Sequence, residues 1–370
     1  MLMRMMADSF FENKRILVID QSFKDTNDRT WCFWETQPGF FEQIVHHRWE
    51  NLRFFSADYT DTIRIQPYQY KMIRGIDLYE KVSRATSTRS NIEWRFEKVM
   101  AIENEPGKVR VRTDLFEYTG LYVFNSIHFT ENGLPAKIDK KGNHFLLQHF
   151  AGWVIETDTD CFDPGTATFM DFRVSQEAGT TFVYVLPTSA RTALVEYTLF
   201  SESLLAREAY EAALKDYIGR YLAVTDYTIQ HREFGVIPMT NQSFPLQNGR
   251  IIQIGIAGGQ AKGSSGYAFR FIQKQAAAIV ENLRSGGSMR NRLSLADRKF
   301  RFYDGVLLRV LQSGRMSGAD IFARIFEKNP PGRVLRFLDN ETGWVDDLLI
   351  MRSVPTRIFL PAALQQLFSW

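Results

Sequence analysis

Apolar residues recur along this chain at two spacings, and the places where the spacing changes mark its elements. Leu2, Met5, Met6 and Phe10 fall near a 3.6-residue repeat, which predicts a helix over residues 2–12. After the polar turn at Glu12–Lys14, "RILVID" is continuously apolar and ends in Asp20, the pattern of a buried strand. "NDRTWCFWE" (27–35) mixes polar and aromatic positions and reads as a loop. "LRFFSA" and "TIRIQPYQYKMI", between Glu50 and Met72, alternate as antiparallel strands do. Residues 75–86 return to helical spacing. Residues 93–127 read as strands about a turn at Glu105–Gly107, and Tyr122–Asn125, apolar on both faces, is expected to be buried.

Further strands are expected at "FLLQHFAGWVIET", "ATFMDFRV", "TFVYVLP" and "ALVEYTLF", then an amphipathic helix over 203–220. "GRIIQIGIAGGQAKGSSGYAFRFIQKQAAAIVENLR" reads as strand, glycine-rich loop and long helix, with Ala268, Ile272, Ala276, Ile279 and Leu283 on one helix face. Residues 298–370 read as mostly short helices broken at Pro330–Pro331 and Pro355. Interleaved strand and helix clusters predict an α/β composite: a cofactor domain built from separated segments, with a mainly antiparallel β domain inserted. The expected division is 1–40, 75–127 and 231–290 for the cofactor domain, 41–74 and 128–230 for the substrate-binding β domain, and 291–370 for a helical region. A helix leading into a strand at the start is the later part of a βαβ unit, which needs ~30 residues or more.

Composition changes this picture little. The 370 residues carry a net charge of +3 with both signs mixed, so no basic arm or stripe argues for nucleic acid. Two cysteines, Cys32 and Cys161, exclude a disulfide framework and a thiolate metal cluster and fit a reduced compartment. No apolar run reaches the ~18 residues of a transmembrane helix, and the N-terminus lacks the apolar stretch of a signal peptide. The unusual count is 30 Phe with 7 Trp, which means either a large aromatic core or a long apolar pocket.

Two stretches carry candidate chemistry. The buried strand Ile251–Ile254 runs into Gly255, Gly258, Gly259, Gly263 and Gly266, then a helix. Glycines admit close approach of backbone to a ligand, and a helix N-terminus offers free N–H groups to an anion. The loop fits the pyrophosphate and ribityl chain of a flavin dinucleotide; a flexible connection is the plain alternative. Asp20 stands where a ribose-binding acid ends the second strand of a dinucleotide fold, or serves a turn. In "ALVEYTLF", Leu194, Glu196 and Thr198 share one face. A carboxyl on an apolar face resists ionisation and can deliver a proton near neutral pH. The alternative is a strand Glu facing water or paired with an Arg. Adjacent His46 and His47 point to opposite faces, and neither an H-E-x-x-H nor a G-x-S-x-G is present, so no metal or serine-hydrolase site is expected.

Taken in order, "NDRTWCFWE", "LLQHFAGWVIET", "FMDFR", "FVYVLPTSARTALVEYTLFS", "FGVIPM" and "IGIAGGQAKGSSGYAF" resemble the flavin-dependent bacterial lycopene cyclases, from about Lys14 to the C-terminal helices. The resemblance implies a Rossmann-like FAD-binding fold, reduced FAD with NADPH as reductant, a peripheral place on the inner, cytoplasmic face of a membrane, and lycopene or a related carotenoid as substrate. It puts the family's essential acid on Glu196, its flavin loop on Gly255–Gly266 and its ribose acid on Asp20. Arg29, Trp31, Trp34 and Gln148 become candidates for contact with substrate. Family members begin with a strand and a G-x-G-x-x-G turn ahead of the helix at 2–12. This chain starts after them, so Met1 is expected to be an internal start and the pyrophosphate half of the flavin site to be missing. Alternatives are a flavin-dependent isoprenoid oxidoreductase and an inactive remnant that binds carotenoid or membrane.

Overall fold

A computed structural model describes residues 1–127, 142–287 and 294–369. The chain opens with α1 (Leu2–Met6), shorter than its apolar spacing predicts. The Asp8 carboxylate accepts from Phe10 N–H at 3.0 Å and starts a separate 3-10 turn at Ser9–Phe11. β1 (Ile16–Asp20) follows. The segment expected to be a loop is a strand, β2 (Thr30–Glu35), whose β-branched and aromatic residues pair along their whole length with β6. Next come β3 (His47–Trp49), β4 (Asn51–Phe55), β5 (Thr60–Arg64) and β6 (Gln69–Arg74), then α2 (Gly75–Thr86). β7 (Ile92–Phe96), β8 (Val99–Glu105), β9 (Lys108–Thr113), β10 (Glu117–Gly120) and β11 (Val123–Asn125) complete the first part. β12 (Phe145–Thr157), β13 (Thr166–Asp171), β14 (Thr180–Pro187) and β15 (Thr192–Ser201) lead to α3 (Arg207–Tyr221) and β16 (Tyr227–Thr240). β17 (Gln247–Asn248) and β18 (Ile251–Gln253) precede the glycine-rich loop and α4 (Phe269–Ser285). The last helices are α5 (Leu295–Gln312), α6 (Gly318–Lys328), α7 (Pro331–Leu338), α8 (Trp344–Arg352) and α9 (Thr356–Phe368), with Pro330–Pro331 and Pro355 at the breaks.

Within the segments expected to form the cofactor domain, β8, β9 and β10 pair antiparallel, as do β17 and β18, but two further pairs are parallel. β1 pairs with β7, and β11 with β18, although five strands of the large sheet, β12 to β16, lie between β11 and β18 in sequence. α1 and α4 pack over both pairs: Met5, Phe11 and Val280 form one cluster with Ile16 of β1 and Phe124 of β11. β11 is an edge strand among the described residues, so Tyr122 and Leu121 beside it are exposed rather than buried, and only Asn125 of the strand is buried.

The large sheet has seven strands in the order β16-β12-β15-β14-β13-β4-β5, antiparallel except at β13–β4. Strand pairing crosses two of the expected segment boundaries. β2 pairs with β6 across residue 40, and the strand containing residue 231 pairs with β12 in the large sheet. The boundaries at 127 and 290 border or fall outside the described residues. One face of this sheet (Trp153, Val183, Val185, Val195, Tyr197, Leu199) is covered by Tyr210, Leu214, Tyr217 and Ile218 of α3. The opposite face carries Tyr184, Leu186, Leu194 and Phe200. It is closed by Trp34, Tyr70 and Met72 from β2 and β6 and by Phe322, Phe326 and Leu335 from α6 and α7.

Candidate active site

The period of two along β15 puts Glu196 on the face opposite α3, as its neighbours in "ALVEYTLF" require. Register then decides what stands beside it. Glu196 lies opposite Tyr184 on β14 and Gly152 on β12, and Gly152 lies opposite Glu233 on β16. Tyr184, Glu196, Gly152 and Glu233 therefore form one row across four strands. The glycine is what lets the two acids meet: a Cβ at 152 would stand 2.9 Å from Glu233 Cγ and 3.0 Å from Leu194 Cδ1.

Thr198 Oγ1 donates to Glu196 Oε1 at 2.9 Å, and Thr30 Oγ1 donates to Glu233 Oε2 at 2.8 Å. The two carboxyls stand close enough for each to bear on the other's protonation. Desolvation, and then the charge of Glu233, push the Glu196 carboxyl well above the usual carboxylate range. Desolvation also raises Glu233, against the opposing hydrogen bond from Thr30. Glu196 has no arginine partner among the described residues, and it is half-buried while Leu194, Val195, Tyr197 and Thr198 around it are buried.

The walls are aromatic. Tyr267 stands at the end of the glycine-rich loop, its hydroxyl 3.2 Å from that of Tyr70 and 3.3 Å from that of Tyr184. Its ring meets Trp34 edge-on at 4.7 Å and stacks parallel to Phe169 at 6.2 Å. Burial holds the hydroxyls of Tyr70, Tyr184 and Tyr267 protonated, raising each well above the ordinary tyrosine value. Burial also pushes up the thiol of Cys32, which feels the charges of Glu196 and Glu233. The aromatic excess thus both fills the core and lines this site.

The glycine-rich loop reaches the same face. Gly266 adopts φ +71° and lies against Gln148, whose amide would collide with any Cβ there. Among the described residues Gln148 Oε1 and Ser265 Oγ are buried without a hydrogen-bond partner, and α4 has no side-chain cap at its N-cap, Ala268. Gly255 has φ +62° and only open space where its Cβ would stand. Unfilled polar atoms beside an uncapped helix start fit a polar, anionic cofactor. The other glycines serve the chain itself. A Cβ at Gly258 or Gly263 would stand 2.5 Å from the carbonyl oxygen of Gln253 or Thr240, and one at Gly259 would meet the Phe244 ring at 3.0 Å. The loop is pinned by Lys262, buried, ion-paired to Asp304 of α5, and lying 5.5 Å from the centre of the Phe300 ring.

The remaining sequence candidates divide. Trp34 and Gln148 belong to the site, although Trp34 Nε1 donates to Leu335 O at 3.1 Å. Trp31 points from the other face of β2 onto Phe269, with Nε1 buried and without a partner among the described residues. Arg29 pairs with Asp28 at 2.8 Å. Asp20 accepts from Ser22 N–H at 3.2 Å and pairs with Lys24 at 3.3 Å, in a polar group near Arg29 and Tyr79 at the end of β1. Thr30, Cys32 and Glu233 escaped the sequence reading. Glu233 sits in "QHREFG", a charged run that reads as a solvated strand face; the one signal was its alternation with Gly235. Two surface clefts, of about 670 Å³ by Gln37, Arg48 and Tyr68 and about 390 Å³ by Met3, Phe40 and Arg89, share no residue with this row.

Among known proteins, the family model described as "Lycopene cyclase protein" matches residues 6–364. No curated protein matches the sequence. Several solved structures share the fold at low identity. A flavin-dependent brominase is 12% identical with a TM-score of 0.64, over 95% of this chain and 94% of its own. A flavoprotein/dehydrogenase from Cytophaga hutchinsonii is 9% identical with a TM-score of 0.63, over 99% and 96%. A geranylgeranyl bacteriochlorophyll reductase-like protein from Thermoplasma acidophilum is 12% identical with a TM-score of 0.55, over 99% and 91%.

Proposed function

The chain belongs to the lycopene cyclase family, and from that premise we propose that it closes the linear ends of lycopene into β-rings, giving β-carotene by way of γ-carotene. The reaction is a redox-neutral isomerisation. A proton adds to the terminal double bond, the neighbouring double bond attacks the tertiary cation to close a six-membered ring, and a different proton leaves. The observation that carries the reading is a carboxyl set to hold its proton, Glu196, beside aromatic walls. With Oε1 taken up by Thr198, the transferable proton belongs on Glu196 Oε2. Once it has left, the Glu196 carboxylate and the faces of Trp34, Tyr184 and Tyr267 would stabilise the cation, and the dry surroundings keep water from capturing it.

FAD fits the loop at Gly255–Gly266 together with Gln148, Ser265 and the start of α4, and Asp20 is the proposed ribose ligand. When bound in reduced form, with NADPH as the proposed reductant, it would supply an electron-rich ring beside the acid. Two structural neighbours, a flavin-dependent brominase and a flavoprotein/dehydrogenase, support a flavin.

The proposed place of action is the inner face of a membrane, where lycopene dissolves. Among the described residues no helix is long and apolar enough to cross a membrane. Two helices instead expose an apolar stripe: Trp344, Val345, Leu348 and Met351 on α8, and Leu360, Leu364, Leu367 and Phe368 on α9. Stripes at this spacing suit a surface-lying contact with lipid.

Glu196→Gln keeps the side-chain volume and removes the transferable proton. With reduced FAD and lycopene in liposomes, ring formation measured by chromatography should fall at least a hundredfold while far-UV circular dichroism and flavin content hold. Cyclisation near the unmodified rate would make Glu196 structural. NADPH consumed in proportion to product would favour an isoprenoid oxidoreductase, and absence of a bound-flavin spectrum would favour a remnant.

A further inference from the structure

Glu233 is buried on β16 opposite Gly152, and its two oxygens are treated differently. Oε2 receives the Thr30 hydroxyl. Oε1 is buried and receives nothing from any N–H or hydroxyl among the described residues. The carboxyl in the same row, on the other side of Gly152, is that of Glu196, which can fill the vacancy only by donating a proton. Gly152 provides the room, because any larger residue between the strands would displace Glu233.

We propose that Glu233 is the positioning residue of the acid: held as a carboxylate by Thr30, it accepts a hydrogen bond from Glu196 and keeps the single proton of the pair on Glu196. The proposal rests on the reading of Glu196 as the acid and goes beyond it, since it assigns the proton to one of two carboxyls and gives the cause. Each carboxyl receives one threonine hydroxyl, Thr30 to Glu233 and Thr198 to Glu196, so the asymmetry lies in the surroundings. Glu233 has His231 of its own strand beside it, which favours its charge, whereas Glu196 is flanked by buried apolar residues. The other titratable groups facing the pair are Cys32 on β2, Tyr184 on β14, His231 on β16 and Asp28, which is paired with Arg29. Cys32 and Tyr184 are held neutral by burial. In a turnover the proton leaves Glu196 Oε2 for the alkene, the ring cation later releases a different proton, and the pair regains one, so the protein ends unchanged. With its proton gone, Glu196 stands beside a second carboxylate, and that repulsion drives recapture.

The test is infrared titration of protonated carboxyls in the full chain, alongside the pH dependence of kcat. The pair should titrate in two steps, with the upper step absent in Glu196→Gln. Glu233→Gln removes the neighbouring charge, so the one remaining step should lie about one unit or more to the acid side of the original upper step. The alkaline limb of kcat should move with it, and Glu233→Asp should restore part of the shift. Thr30→Val, a small change that tests the pair even if Glu233→Gln folds poorly, should raise the lower step and leave the upper one in place. An upper step unmoved in Glu233→Gln, or a lower step unmoved in Thr30→Val, overturns the proposal. The infrared steps need no turnover. Persistent cyclisation by Glu196→Gln would sink the assignment of the acid, while the titration alone decides the sharing of the proton.

Discussion

A carboxyl that keeps its proton where an unfolded chain would lose it makes folding less favourable as pH rises. Glu196 is in that position, because its folded value lies well above its ordinary one through desolvation and the charge of Glu233. Below about pH 4, near the unfolded value, both states are protonated and the site is neutral in the balance. Above it the unfolded state ionises first, and stability falls by up to about 1.4 kcal/mol per pH unit until the folded group also ionises. Glu196→Gln should therefore melt at nearly the same temperature as the unmodified protein at pH 4 and at a higher temperature at pH 8. Calorimetry at the two pH values checks this. A variant less stable at pH 8 would show that the carboxyl is anionic and well solvated by donors.

At the scale of elements, the loop between β18 and α4 is held more by one buried ion pair than by its glycines. Lys262 is buried, and Asp304 of α5 is its partner. Breaking a buried pair by removing one charge costs about 3–5 kcal/mol, since the other charge is left uncompensated. Asp304→Asn should lower stability in urea by about that much, and Lys262→Met with Asp304→Leu should recover most of it. Equal stability of Asp304→Asn and the unmodified chain would mean that Lys262 gives up its proton or finds water. Bulky residues at Gly258 would be a poor probe of cofactor binding, because the clash with Gln253 O at 2.5 Å disturbs the loop before any ligand arrives.

At the scale of the molecule, α8 and α9 keep their apolar stripes outside while Ile350 and Ala362 anchor their inner faces. Leu364→Glu with Phe368→Glu should abolish co-flotation with liposomes without changing melting temperature, as the altered side chains touch little of the core. Unchanged flotation would move the contact elsewhere. The arrangement of domains follows from β11 and β18. They are hydrogen-bonded in parallel with five strands of the large sheet, β12 to β16, inserted between them, so the Glu196 face of that sheet and the glycine-rich loop that follows β18 meet at Gln148 and Tyr267.

The sequence by itself determined the elements whose physics is local. α2 was predicted over its whole length, the helix after the glycine-rich loop showed its apolar face, and alternation placed Glu196 on the same side as Leu194 and Thr198. β2 was misread because its alternation is hidden: Trp31 and Phe33 pack on one side against Phe269, Trp34 on the other against Tyr267, so both faces are aromatic. Only tertiary structure decided what faces the acid. Period two tells which side a strand residue takes, but register between strands is set by pairing across distant segments. Glu233, Thr30 and Tyr184 reach Glu196 from strands far apart in the chain, and a charged run such as "QHREFG" is identical in sequence whether its glutamate meets water or another carboxyl.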